Sequence, residues 1–187
     1  PGDIKYKDLN HDGVIDSNDQ APIGYNPVPE MTFSLAAGLN WKGFDFSILL
    51  QGAARSSIYL QQDIAWDNFW GNYYEEHIGR WTPETAATAT YPRFTKAATA
   101  AHPNYYKSDY WLKDSKYLRL KNIQLGYTIP RKLLKKFGVR SLRVYANAYN
   151  LFTWDNVKKV DPESSNNSNG QFYPQQKVIN FGINLNF

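Results

Sequence analysis

From Ile179 to Phe187 apolar residues hold every second position (Ile179, Phe181, Ile183, Leu185, Phe187), and Asn180, Gly182, Asn184 and Asn186 fill the places between. That period of two predicts a strand over Gln175–Phe187 with one apolar and one polar face. Met31–Trp41 repeats the pattern with Phe33, Leu35, Ala37, Leu39 and Trp41, and Phe44–Ala54 repeats it with Phe44, Phe46, Ile48 and Leu50. A two-residue turn at Lys42-Gly43 pairs Trp41 with Phe44, Leu39 with Phe46, Ala37 with Ile48 and Leu35 with Leu50, which puts both apolar sets on one side. Ser115–Ile129 carries Leu118 and Leu120 in one phase and Ile123, Leu125, Tyr127 and Ile129 in the other, so a bulge is expected near Lys121-Asn122. Arg140–Phe152 sets Leu142, Val144, Ala146 and Ala148 against Arg143, Tyr145, Asn147 and Tyr149.

The polar faces of these strands are small and nearly uncharged, where a soluble sheet normally carries Lys, Glu or Thr. This suits the water-filled lumen of a membrane barrel. The five strands are joined by short turns at one end, Lys42-Gly43 and Pro130–Gly138 (with a helical half-turn at Lys132–Phe137), and by long loops at the other. That is the build of an all-β transmembrane barrel with short periplasmic turns and long extracellular loops. On this reading residues 1–29 are an extracellular loop, and residues 30–187 hold the strands with long loops at 55–114 and 154–173.

The connecting segments carry the candidate chemistry. Arg55–Asp114 lacks a sustained period and is crowded with aromatics and prolines, and a connection so long is usually functional. Within it Ala65–Gly79 reads as helical, and Thr85–Thr90 and Lys96–Ala101 read as flexible loop, as does the polar Asp155–Gly170. Trp66, Phe69, Trp70, Tyr73 and Tyr74 offer flat apolar faces with polar edges, suited to stacking on a ligand or to packing the loop itself. Near the start, Asp8, Asn10, Asp12, Asp16 and Asp19 stand at the first, third, fifth, ninth and twelfth places of a loop with Gly13 at the sixth. With the carbonyl of Val14 this spacing can wrap Ca2+. An Asp/Asn/Gly turn that needs no ion satisfies the same residues, and Asp19 in place of a bidentate Glu, with Pro22 close behind, leaves no exit helix of the EF-hand kind.

Composition changes this picture little. The mean hydropathy of −0.59 and the lack of a long apolar run exclude a transmembrane helix but not strands that alternate. Aromatics make up 16% of the 187 residues, with 14 Tyr and 6 Trp, which suits interfacial girdles or a ligand surface. The chain has no Cys, and its net charge of +4 is scattered without the basic stripe that nucleic acid requires. Glu75 and Glu76 are adjacent, a poor arrangement for a glycosidase acid pair, and His11, His77 and His102 lack metal-type spacing, so no enzyme is expected. The start at Pro1-Gly2-Asp3 suggests a piece of a longer protein.

Seven phrases, taken in order, resemble the SusC/RagA-type TonB-dependent outer-membrane transporters: GDIKYKDLNHDGVID (Gly2–Asp16), IGYNPVPEMTFSLAAGLNWKGFDFSILLQGAA (Ile23–Ala54), RWTPE (Arg80–Glu84), YPR (Tyr91–Arg93), SDYWLKDSKYLRLKNIQLGYTIP (Ser108–Pro130), LRVYANAYNLFTW (Leu142–Trp154) and the terminal strand. The resemblance implies the carboxy-terminal five strands of an antiparallel barrel of about 22 strands, with a plug in the missing part. It also implies import of oligosaccharides or peptides with a SusD-like surface lipoprotein as lid, driven through TonB, in the outer membrane of a Gram-negative bacterium. The spacing Asn180, Gly182, Leu185, Phe187 is similar to the signal by which such barrels are handed to their assembly machinery. The rival reading is a secreted, calcium-dependent, carbohydrate-binding β-sandwich module. The two differ in what covers Phe33, Leu35, Phe46, Ile48, Phe181 and Ile183: the lipid bilayer, or a second protein layer.

Overall fold

The computed structural model describes residues 1–96, 101–158, 160–164 and 173–187, so most of the loop expected at Lys96–Ala101 and the SNNSNG end of the loop at Asp155–Gly170 lie outside the described residues. In chain order the strands are β1 (Met31–Trp41), β2 (Phe44–Ala54), β3 (Ser57–Tyr59), β4 (Leu112–Asp114), β5 (Tyr117–Thr128), β6 (Ser141–Asp155) and β7 (Val178–Asn186). The chain divides into two units.

One unit holds an open antiparallel sheet in the order β1-β2-β5-β6-β7. The β1–β2 hairpin has the expected register, from Trp41 opposite Phe44 to Leu35 opposite Leu50. Lys42 and Gly43 both take positive φ, 46° and 90°, the conformation that matches a two-residue turn to strand twist and that glycine adopts without strain. Rows of partners then run across all five strands. Leu39, Phe46, Leu125, Ala146 and Phe181 form one apolar row, and Trp41, Phe44, Tyr127, Val144 and Ile183 form the next. Between them lies the polar row Asn40, Asp45, Gly126, Tyr145 and Gly182.

The expected bulge is present at Lys121, where the register against both neighbours shifts. Its effect is to return Leu118 and Leu120 to the face of Ile123 and Leu125, so the phase slip in the sequence becomes one continuous apolar side. Strand ends differ from the alternation. β7 starts at Val178 rather than Gln175 because the backbone just before it is bound elsewhere: the Gln175 N–H donates to Asp161 at 3.3 Å and the Gln176 carbonyl accepts from Asn150 at 3.1 Å. β6 runs on to Asp155, paired with Tyr117. The β5–β6 connection holds the anticipated half-turn as α1 (Arg131–Leu134) followed by a 3-10 turn at Lys135–Phe137, closed by left-handed Gly138.

Pro1–Pro27 and Ser57–Asp114 make up most of the second unit. Residues 1–27 therefore do not stand as a loop apart from the long connection. This unit has β3 paired with β4 and is otherwise built of turns. No long helix forms over Ala65–Gly79; a bridge between Phe69 and Asn72 and a 3-10 turn at Glu75–Gly79 occupy it. Positive φ at Asn68 and Trp70 interrupts any helical run there. Thr85–Thr90 is a folded turn in which Thr85 Oγ1 accepts from Thr82 N–H at 2.8 Å and donates to the Arg80 carbonyl at 2.9 Å.

Candidate functional site

The polar face of the sheet is organised by one ion pair. Arg143 on β6 reaches across β5 and grips Asp45 on β2, with Nε donating to one carboxylate oxygen at 2.8 Å and a terminal nitrogen to the other at 2.5 Å. Gly126 lies beneath the bridge, and a Cβ there would meet the guanidinium and both Asp45 oxygens at 2.5 Å. The Tyr145 ring stacks against the Arg143 guanidinium at 4.8 Å and covers Gly182. Asn147 accepts from Asn180 at 3.0 Å one row away. Thus the turn-proximal part of a face poor in charge carries one matched pair, flanked by amides, hydroxyls and glycine.

Nearer the long loops Arg119 on β5 is 2% exposed. It donates to Thr153 Oγ1 at 2.9 Å and to Asp161 at 2.7 Å. Because Asp161 also accepts from the Gln175 N–H, this pair ties the segment after β6 to the sheet. The opposite face is bare: Leu35, Leu39, Phe181 and Ile183 are 62, 63, 83 and 69% exposed.

In the second unit the five candidate aromatics divide. Trp66 is 4% exposed and packs against Phe69 and Tyr105, whereas Trp70, Tyr73 and Tyr74 are open to solvent. Trp66 is therefore core, and its ring is not presented to a ligand. Around it lie buried Asp67, His77 and Asn104. Asp67 accepts from the Tyr105 hydroxyl and from Thr95 N–H at 2.9 Å. His77 Nδ1 accepts from Tyr74 N–H at 3.0 Å, which leaves Nε2 to donate to the Ala65 carbonyl at 3.2 Å. His77 is thus a structural joint, and it is ringed by Tyr73, Tyr74, Tyr91 and Phe94. Asn104 binds Ile4 N–H through its oxygen at 2.8 Å and Asp3 through its amide at 2.9 Å. Arg93 holds Asp3 bidentately at 2.7 and 2.9 Å, and this contact first of all lowers the Asp3 pKa from its ordinary value. Burial pushes the Tyr59 and Tyr110 phenols up to about 12 and raises Tyr91 and Tyr105 as well.

The aspartate loop is held by its own side chains. Asp8 accepts from His11 and Gly13 N–H at 2.6 and 2.9 Å, Asn10 from Asp12, Asp12 from Val14, and Asp16 from Asn18. Asp19 closes the loop by accepting from Leu9 and Asp16 N–H at 2.7 and 2.8 Å, and these backbone donors, Asp16 first, lower its pKa. Among the described residues no three His, Asp or Glu side chains converge into a metal-holding group. The donors are all oxygen and each carboxylate retains acceptor capacity beyond its N–H partner, so the residue types fit a hard cation. In the terminal strand Phe187 and Leu185 are exposed on the apolar side, and Asn180 and Gly182 face Asn147 and Tyr145.

Sequence reasoning passed over Arg119, the Asp45–Arg143 pair, Asp67 and Asn104, and weighed His77 only as a metal ligand. A lone acid on β2 and a lone cation on β6, on faces otherwise poor in charge, were the available signal for the bridge.

No family model matches the chain. It is 30% identical over its whole length to the TonB-dependent receptor P26 of Formosa agariphila, and 27% identical to the TonB-dependent receptor SusC of Bacteroides thetaiotaomicron. Over its whole length its sequence is similar to one part of these TonB-dependent receptors. The chain spans 20% and 18% of the length of those two relatives. Solved structures of the RagAB peptide importer and the RagAB peptide transporter match the fold with TM-scores of 0.69 and 0.70 at 23 and 22% identity, over 93 and 92% of this chain and 19% of theirs. The five strands therefore correspond to part of the wall of a TonB-dependent transporter barrel.

Proposed function

We propose that the chain is a wall segment, with its long loop, of an outer-membrane importer of oligosaccharides or peptides that works with a SusD-like lipoprotein lid and draws energy through TonB. The observation that carries the reading is the two-sidedness of the sheet. An exposed, uncharged apolar face backs onto a face of amides, hydroxyls and internally matched ion pairs. Lipid on one side and a wet, plugged lumen on the other satisfy both. The relatives are named receptors, and the matched structures are described as an importer and a transporter, which supports transport over catalysis.

In this proposal Arg55–Asp114 is extracellular, because it leaves β2 and rejoins β5 at the ends remote from the Lys42-Gly43 turn. Its open rings Trp70, Tyr73 and Tyr74 face cargo or lid, and Trp66 and Phe69 support them. Calcium at Asp8, Asn10, Asp12, Val14, Asp16 and Asp19, and an assembly role for Asn180, Gly182, Leu185 and Phe187, complete it.

The test is uptake by cells carrying the full-length protein. Trp70→Ala with Tyr73→Ala should lower cargo affinity or lid retention by on the order of 1–3 kcal/mol per anchor removed, with barrel levels in detergent-extracted membranes unchanged. Full uptake and full lid retention would show that these rings only pack the loop.

A further inference from the structure

The antiparallel pairing gathers one end of the sheet into a cationic, partly apolar rim. The Lys42-Gly43 turn lies beside Thr128, whose N–H donates to the Gly43 carbonyl at 2.7 Å, and the β5–β6 connection starts there. That connection carries Arg131, Lys132, Lys135, Lys136 and Arg140, all exposed. The whole stretch from Ser115 to Trp154 contains no Asp or Glu. The acid that this stretch does meet from β2, Asp45, is held bidentately by Arg143. None of the five cations makes an ion pair with a described residue. Among them Leu133 and Phe137 stand 65 and 75% exposed, while Leu134 is buried and seats the turn. The last apolar row of the sheet, Trp41, Phe44, Tyr127, Val144 and Ile183, ends at this same rim. Trp41 is 60% exposed with Lys42 Nζ 4.9 Å above its ring, and the Phe44 and Tyr127 rings pack in a tilted pair at 4.5 Å.

We infer that this rim is an anchor for anionic phospholipid headgroups, which bind Lys132, Lys135, Lys136 and Arg131 while Leu133 and Phe137 dip into the leaflet beside the aromatic row. A turn that merely faced water would gain nothing from two large exposed apolar side chains. A cationic turn that flanks a lipid-facing row meets phosphates at the depth where Trp, Tyr and Phe reach the interface. A soluble acidic partner would satisfy the charges but would have no reason to start where the lipid face stops. The inference rests on the membrane-barrel reading. It adds an adhesive function to a turn whose conformation alone needs only Gly138 and Leu134.

The experiment titrates phosphatidylglycerol and phosphatidylcholine into the detergent-purified full-length protein and reads retained lipid by native mass spectrometry. The wild type should retain phosphatidylglycerol preferentially. Since each cation near an anionic surface contributes measurably, Lys132→Gln/Lys135→Gln/Lys136→Gln should weaken that preference by at least about tenfold. The triple Lys→Arg variant, which keeps charge and changes shape, should preserve it, and Phe137→Ser should lower retention of both lipids. An unchanged preference in the triple Gln variant overturns the inference, as does a wild type indifferent between the lipids but captured by immobilised polyglutamate. A protein that never partitions into the membrane fraction fails the barrel reading instead, and folding of every variant is checked by its heat-modifiable mobility.

Discussion

Two residues that the alternation does not single out set how the polar side responds to change. Arg119 and Asp161 are 2 and 10% exposed and bonded at 2.7 Å. Removing one member of a buried pair strands the other charge, which typically costs 3–5 kcal/mol, about the scale of a domain's whole margin. Arg119→Ala should therefore lower the thermal midpoint of the detergent-solubilised full-length protein markedly and expose the Asp155–Asp161 segment to protease. A midpoint within error of wild type would show that Asp161 finds water at no cost. Two half-buried phenols give a second, pH-dependent readout. Tyr59 and Tyr110 titrate at about 12 in the fold and near 10 when unfolded. Above pH 10 the unfolded chain thus holds fewer protons than the folded one, and stability that is complete below pH 10 is lost as pH rises towards 12. Alkaline difference spectra should resolve late-titrating tyrosines whose ionisation coincides with loss of the fold; ionisation of all tyrosines near 10 would contradict their burial.

At the scale of elements, the strands were legible and the long loop was not, for a physical reason. A strand's pattern is set by two faces meeting two solvents, and Leu39, Phe46, Leu125 and Phe181 declare that locally. Even the slip at Lys121 could be read, because a bulge leaves a one-residue error in the period. The loop is held by side chains far apart in sequence: Asp67 with Tyr105, Asn104 with Ile4, Arg93 with Asp3. No periodicity records such bonds, so Thr85–Thr90 read as flexible although it is a hydrogen-bonded turn, and Ala65–Gly79 read as helical although a bridge and a 3-10 turn occupy it. The aspartate loop lies between these cases. Its spacing announced a turn, and the N–H bonds of Asp8, Asn10, Asp12, Asp16 and Asp19 explain each position without a cation. Four carboxylates within one loop nevertheless repel one another, and calcium in the millimolar range typical of extracellular sites would relieve that. Added calcium should raise the melting temperature of the full-length protein and Asp12→Asn with Asp16→Asn should abolish the rise. A melting curve indifferent to calcium and to chelator would leave the loop as a hydrogen-bonded turn alone.

At the scale of the whole molecule, the sheet's two edges decide how it must be completed. Among the described residues β1 and β7 each have one neighbour, and they do not pair with one another. Barrel diameter grows with strand number, and a lumen that holds a plug takes about 22 strands, so five cannot enclose one by closing on themselves. An open edge in hydrocarbon leaves every other backbone N–H and carbonyl unpaired, at several kcal/mol for each group. The outer edge of β1 (Met31–Trp41) and that of β7 (Val178–Asn186) are therefore expected to pair with strands of the rest of the receptor. Hydrogen exchange on the full-length protein in detergent should find the amides of β1 and β7 as protected as those of β5, which has strands on both sides here. A direct geometric check uses the absence of cysteine from this chain. In a full-length background free of other thiols, Ser34→Cys and Asn184→Cys should stay reduced under mild oxidation, because intervening strands keep the two edges apart. Rapid disulfide formation between them would mean that β1 and β7 meet in a closed five-stranded domain, and the barrel-wall assignment would fall with it.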